Sequence, residues 1–111
     1  MARKKQKGPT YFTLMVQRVG FKKTRRAMEY GLCYLTVRVD LGHRPSMEEY
    51  AVWWKIGSAT AFREQALWRE AMPDFSTPED FLRAVRPDFD WDRATAEDAG
   101  KVIGSLLGAS A

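Results

Sequence analysis

The sequence predicts a mainly α fold with a three-helix core over residues 24–41, 46–55 and 58–72, followed by one or two C-terminal helices. Hydrophobic residues make up 45% of the 111 residues, which is enough to build the core of one ordinary domain. Apolar residues recur at helical spacing in the first core segment. A hydroxyl residue followed by acids marks helix starts at Ser46 and Thr77.

The first core helix is predicted from one apolar stripe. Its apolar residues are spaced by four, three and four positions, which places them on one side of a helix: Met28, Leu32, Leu35 and Val39. Gly31 and the β-branched Thr36 and Val37 have low helix propensity, so a strand over 32–39 is the alternative. The segment 11–19 is apolar without a clean period, and there the sequence favours a short strand over a helix.

The next two helices have clearer boundaries. Ser46 and Glu49 form a capping box, in which each side chain accepts a hydrogen bond from the other residue's backbone N–H. A break near Gly57 separates this helix from the next, which Ser58 is expected to cap. Pro73 prevents the third core helix from continuing.

Two further helices are predicted towards the C-terminus. A proline and two acids follow the capping residue Thr77, and Pro87 ends that helix. A last helix over 95–107 is capped by Thr95 and Asp98 and is weakened by three glycines. Its apolar side is a candidate surface for a second copy of the chain or another protein: Val102, Ile103, Leu106 and Leu107.

Residues within 46–72 have the spacing of a helix-turn-helix. Such a motif needs a small residue where the two helices cross, an apolar residue three positions later, a buried residue in the turn and a small residue on the inner side of the second helix. These positions are held in order by Ala51, Trp54, Ile56 and Ala61. The segment resembles the core of small bacterial and phage helix-turn-helix DNA-binding regulators, over about a quarter of the 111 residues.

The segment departs from that family pattern in two places. Lys55 stands where many of these regulators have glycine, and the small turn residue, Gly57, comes two positions later. The pair Trp53 and Trp54 is bulkier than usual, so we expect one indole in the core and the other over a neighbouring element or a partner. With the motif in place, residues 10–75 are predicted to form the DNA-binding domain.

The rest of the chain is divided around that domain. Residues 1–9 are polar and rich in lysine, and they are predicted to form a flexible basic arm. Residues 76–111 are predicted to be a helical extension that either joins the same globule or binds a partner.

The resemblance implies that the helix over 58–72 is the recognition helix, whose first turns enter the major groove of DNA. Side chains suited to base edges or to the flanking phosphates are Ser58, Ala59, Thr60 and Arg63. Phe62, on an adjoining stripe, is assigned to the core. The cations expected to hold the phosphate backbone without reading sequence are Lys55 in the turn, with Lys22, Lys23, Arg25 and Arg26 earlier in the chain.

The distribution of charge points to the same class of partner. Residues 1–26 carry nine basic side chains and no acid, whereas residues 70–98 carry nine acids and three arginines. This asymmetry favours docking on nucleic acid in one orientation. The expected partner is double-stranded DNA, and the expected function is that of a transcriptional regulator or of a replication or recombination factor of a mobile element. An RNA-binding protein is one alternative, and the other is an adaptor that docks through its last helix and the aromatic loop 88–93.

No pattern typical of an enzyme is present, and we expect neither a catalytic site nor a cofactor. His43 is the only histidine and Cys33 the only cysteine, so no zinc site and no internal disulfide are expected. The acids at 88, 90 and 92 lack the glycine and the distal glutamate of a calcium loop. No apolar run approaches the ~20 residues of a membrane span. We therefore expect a cytoplasmic, nucleoid-associated protein with no membrane partner.

Overall fold

The computed structural model describes residues 8–108, which fold into five helices without a strand. The predicted mainly α class is confirmed. In chain order the helices are α1 (Tyr11–Leu41), α2 (Met47–Trp54), α3 (Ser58–Ala71), α4 (Pro78–Val85) and α5 (Ala96–Leu107). Residues 1–7 of the predicted basic arm lie outside the described residues, so that prediction stays open.

The N-terminal strand that the sequence favoured over 11–19 is a helix. Thr10 caps it, since its hydroxyl accepts a hydrogen bond from the Thr13 N–H at 3.0 Å. The Tyr11 ring packs edge-on against Phe81 of α4, with 5.0 Å between the ring centroids. The strand prediction was wrong because the cap and the burial against α4 outweigh the β propensity of these residues.

Gly20 divides α1 into two helical segments. Its φ of 87° and ψ of 166° lie outside the helical region, in a conformation that is essentially restricted to glycine. The second segment ends at Gly42, which has a φ of 79° and donates its N–H to the Arg38 carbonyl at 3.0 Å. The predicted first core helix over 24–41 is therefore the second segment of a longer α1.

The alternative strand over 32–39 is also wrong. Thr36 donates its hydroxyl to the Leu32 carbonyl at 2.9 Å, a bond that a threonine makes within a helix. Val37 is fully buried. Burying a valine side chain contributes about 1.5–3 kcal/mol, whereas its low helix propensity costs about 0.7 kcal/mol or less, so packing decides the conformation.

Gly31 is a point at which both α3 and α5 approach α1 closely. A Cβ atom at this position would lie 3.2 Å from Trp68 Cζ3 on α3 and 3.3 Å from Ile103 Cδ1 on α5. Trp68 and Ile103 are almost completely buried. The glycine that weakened the helix prediction therefore allows α1 to pack against both neighbours.

A buried ion-pair network attaches α4 to the end of α1. Glu79, only 1% exposed, accepts a hydrogen bond from Arg38 Nε at 2.9 Å and forms an ion pair with Arg83 Nη2 at 2.7 Å. The two guanidinium groups lie 4.6 Å and 5.0 Å from the ring centroid of Trp91. The loop after α4, which the adaptor alternative uses as a docking surface, thus packs on this network.

A second carboxyl at the start of α4 belongs to the same region. Arg44 Nη2 lies 2.8 Å from Asp80 Oδ1, and the Asp80 N–H donates to the Thr77 hydroxyl at 3.1 Å. Burial acts to raise the pKa of Asp80, but the hydrogen bonds from Arg44 and Thr77 hold it below its ordinary value. The predicted cap at Thr77 is confirmed.

The last helix forms as predicted, with the expected capping box between Thr95 and Asp98. Its apolar side, however, is largely used inside the molecule. Ile103 and Leu107 are buried, and α5 packs along α1. The structure therefore gives no support to the predicted use of this side for a second copy or another protein.

Enlarging residue 31 tests the contact at the centre of the fold. We expect Gly31→Val to lower the free energy of unfolding by about 1–3 kcal/mol through overpacking against Trp68 and Ile103. The matched control is Gly104→Val on α5, where an added Cβ meets nothing within 4 Å. Chemical denaturation monitored by circular dichroism measures both, and equal stability of the two variants would contradict the close approach at Gly31.

Candidate nucleic-acid interface

The connection between α2 and α3 is a tight turn of three residues, 55–57. The Ile56 N–H donates to the Ala51 carbonyl at 2.9 Å, and the Lys55 N–H donates to the Val52 carbonyl at 3.2 Å. These two bonds form a Schellman motif, which ends a helix through one residue in the left-handed conformation. That residue is Lys55, with φ 57° and ψ 47°. The lysine thus adopts the backbone conformation for which glycine is preferred.

Small buried residues stand on α2 and α3 at the two positions where the spacing predicted them. Ala51 is 4% exposed and Ala61 is fully buried. Ile56 is partly buried and packs against the core. Between the same two helices, Tyr50 of α2 donates its hydroxyl to Glu64 Oε1 of α3 at 2.8 Å. Burial and the adjacent carboxylate raise the pKa of Tyr50, so the phenol remains a hydrogen-bond donor.

Both indoles of the tryptophan pair reach back to α1. Trp54 Nε1 donates to the Cys33 carbonyl at 3.3 Å, and Trp53 Nε1 donates to Asp40 Oδ2 at 2.7 Å. Each side chain is partly buried and packs against the core. We expected one indole in the core and the other over a neighbouring element or a partner. In the structure both indoles are bonded to α1, and together they fix α2 on it.

The four predicted contact residues of α3 lie in its first two turns. Ser58, Ala59 and Arg63 are exposed, and Thr60 is partly buried. Arg63 Nη2 donates to the Thr60 hydroxyl at 3.2 Å, which orients the guanidinium along the helix surface. Ser58 is the first residue of α3, whereas its predicted role as the cap falls to Gly57, which makes no side-chain capping bond.

The cations of α1 that were predicted to contact the phosphate backbone of DNA lie in its second segment, just after the kink at Gly20. Lys22, Lys23, Arg25 and Arg26 are all exposed. Lys23 Nζ lies 3.4 Å from Glu70 Oε1, and Arg25 Nε lies 3.9 Å from Glu29 Oε2. These two pairs are solvent-exposed and therefore weak. Lys22 and Arg26 form no ion pair within residues 8–108.

A groove on the surface brings cations of α1 and α3 together. It has a volume of about 550 Å³ and is lined by Arg26 of α1 and, on α3, by Arg63, Ala66, Leu67, Arg69 and Glu70. The single carboxylate among these residues is the one that Lys23 contacts. Arg69 donates from Nε to the Ser76 carbonyl at 3.1 Å. The groove thus presents three guanidinium groups on one side of the molecule.

Phe62 is exposed, contrary to its assignment to the core. Nearly half of the residue, 49%, is accessible to solvent. The core side of α3 is occupied by Ala61, Trp68 and Ala71. A helix rotates by about 100° per residue, so the position after Ala61 turns out of the core. Phe62 was missed because its apolar character was given more weight than its position on the helix.

Lys55 is exposed at the turn, as predicted. No cluster of three metal-ligating side chains occurs among the described residues. Within the same residues, no helix combines the length and apolar character needed to cross a membrane.

Comparison with protein-family models, curated proteins and solved structures gives no match. The resemblance to helix-turn-helix regulators therefore stays a prediction from residues 46–72.

The conformation of Lys55 can be tested by substitution. A non-glycine residue in the left-handed region costs about 1–2 kcal/mol, so Lys55→Gly should raise the free energy of unfolding by up to that amount. We expect the thermal midpoint to rise by several degrees. Lys55→Ala is the control, because it removes the charge and keeps the strain. A Lys55→Gly variant that melts below the parent would contradict the left-handed turn.

Proposed function

We propose that this protein binds double-stranded DNA, with the first turns of α3 in the major groove and the basic part of α1 on the phosphate backbone. The observation that carries the proposal is the shared groove in which Arg26 of α1 and Arg63 of α3 lie. An exposed helix flanked by cations from a second helix is suited to a groove edged by phosphates.

The side chains on α3 have the chemistry needed to read bases. Arginine pairs bidentately with O6 and N7 of guanine, serine donates to a base edge or a phosphate, and alanine leaves room for a thymine methyl. Arg63, Ser58 and Ala59 supply these three groups, and all are exposed. The tight turn at Lys55 and the burial of Ala51 on α2 and Ala61 on α3 support the helix-turn-helix assignment that this docking requires.

The remaining cations suit contacts that position the protein. Lys22, Lys55 and Arg26 are exposed on α1 and at the turn. Charged contacts to phosphate supply affinity and orientation but no sequence information. We infer a role in transcription or in the replication or recombination of a mobile element, carried out on DNA of the nucleoid.

The two alternative functions gain no specific support. Single-stranded RNA is often read by aromatic side chains on a sheet, and the described residues contain no strand. An adaptor role depended on the last helix and on the loop 88–93 being available to a partner. Trp91 of that loop instead lies against Arg38 and Arg83 of the same molecule.

Substitution of Arg26 tests the proposed contacts with the phosphate backbone of DNA. We expect Arg26→Ala to weaken binding to all duplexes alike and to reduce the slope of log K against log salt by about one. The measurement is fluorescence anisotropy at several salt concentrations. Arg93→Ala is the control, because this arginine is 89% exposed by its side chain and lies outside the groove. An unchanged slope for Arg26→Ala would contradict the proposed contact of α1 with the phosphate backbone.

Arg63 tests the reading of sequence. We expect Arg63→Ala to leave the fold intact and to remove about 1–3 kcal/mol of discrimination at one base pair, with only a small effect on random DNA. The target duplex comes from selection on random sequences with the parent protein. Equal losses on the target and on random DNA would reduce Arg63 to a phosphate contact. Unchanged binding to both DNAs would mean that α3 does not lie in the major groove, which contradicts the proposal.

A further inference from the structure

Phe62 is an aromatic side chain that the fold does not use. It is 49% exposed and is absent from the core cluster of the described residues and from the hydrophobic side chains packed on that cluster. It lies on the outer side of α3 with Ala59, Arg63 and Ala66, at helical spacings of three and four. An apolar ring therefore lies on the same outer side of α3 as the arginine that the proposed function places in the major groove.

The other exposed hydrophobic side chains have different surroundings. Phe21 packs edge-on against Phe12 at 6.1 Å, and Leu32 lies close to Gly100 of α5. Val52 is 76% exposed on α2, where it lines a shallow groove with Leu41, Trp53, Glu48 and Glu49. Phe62 does not line the arginine-lined groove itself, but it alone among these four residues directly precedes in the chain a residue that does, Arg63.

The neighbours of Phe62 also define what it can contact. A docking surface for a protein requires a contiguous apolar patch of several hundred Å². Phe62 is instead flanked on its side of the helix by Arg63 and by two alanines, which add only small methyl groups, so its ring is the only large apolar side chain there, at the edge of a cationic surface. Such a group fits an apolar atom on a polyanion.

We propose that Phe62 recognises a thymine through its 5-methyl group, beside the base that Arg63 contacts. The inference rests on the proposed function and names a feature of its DNA target. Thymine presents a methyl group at the major-groove edge of its base pair, and phenylalanine is one of the side chains that contact it. Ala59, one turn earlier on the same side, leaves space for the base to approach the ring.

The experiment removes the methyl group and leaves every hydrogen bond of the base pair in place. A duplex is first selected from random sequences with the full-length protein, and each thymine is then replaced in turn by uracil. We expect the affinity of the parent protein to fall about fourfold at one thymine, the effect of burying one methyl group. Phe62→Ala should bind the selected duplex more weakly, and its affinity should not change when that thymine becomes uracil.

Two further variants make the result specific. Phe62→Leu keeps an apolar contact and should retain part of the uracil effect. Val52→Ala trims an exposed apolar side chain on α2 and should retain all of it. Circular dichroism is expected to show the same fold for every variant, because both positions are exposed.

The outcomes separate this inference from the function on which it rests. Selected binding with no sensitivity to uracil, or with the same sensitivity in Phe62→Ala, would overturn the methyl contact and leave DNA binding in place. Binding of duplex DNA with no selected sequence would also overturn the methyl contact, and the absence of any binding to duplex DNA would overturn both. Preferential binding of single-stranded DNA through Phe62 would also overturn the inference, since the ring would then stack on bases.

Discussion

The close approach of α3 and α5 to α1 at Gly31 is the constraint on which the rest of the structure depends. Trp68 fills the space above this glycine and donates its Nε1 hydrogen to the Phe75 carbonyl at 2.9 Å, which fixes the loop that leads to α4. Trp68 also lies seven residues after Ala61, nearly two helical turns, so both face the core. Once they are buried, the rotation of α3 about its axis is set, and Phe62 and Arg63 turn outward.

The features that sequence reasoning predicted are mostly local. The capping box of α2 forms with 2.9 Å and 3.1 Å between Ser46 and Glu49, because a cap depends on residues three positions apart. The helix over 11–19 and the close packing at Gly31 were missed, because the contact of Tyr11 with Phe81 and the approach of Trp68 to Gly31 join residues distant in the chain. Within the candidate site, the exposed cations were predicted from their type. The grouping of Arg26 with Arg63 and Arg69 needed the packing of α1 on α3.

The turn at Lys55 links local strain to the candidate site. A left-handed lysine costs free energy that glycine would avoid, yet a lysine there places a cation between α2 and the first turn of α3. Strained backbone that persists at one position is a reason to infer a functional role for the side chain. The Schellman bonds and the packing of the partly buried Ile56 against the core hold the turn in place despite this cost.

The pairing of charges changes how the asymmetry of the sequence is interpreted. Most acids of residues 70–98 lie beside arginine or lysine, as in the pairs of Glu79 with Arg38 and of Asp80 with Arg44. Arginines of the same region neutralise further acids, among them Asp88 and Asp90. The C-terminal half is therefore less repulsive to a polyanion than its composition suggests. Under the proposed function, orientation on DNA would then depend on attraction at the groove between α1 and α3, which three arginines and one glutamate line.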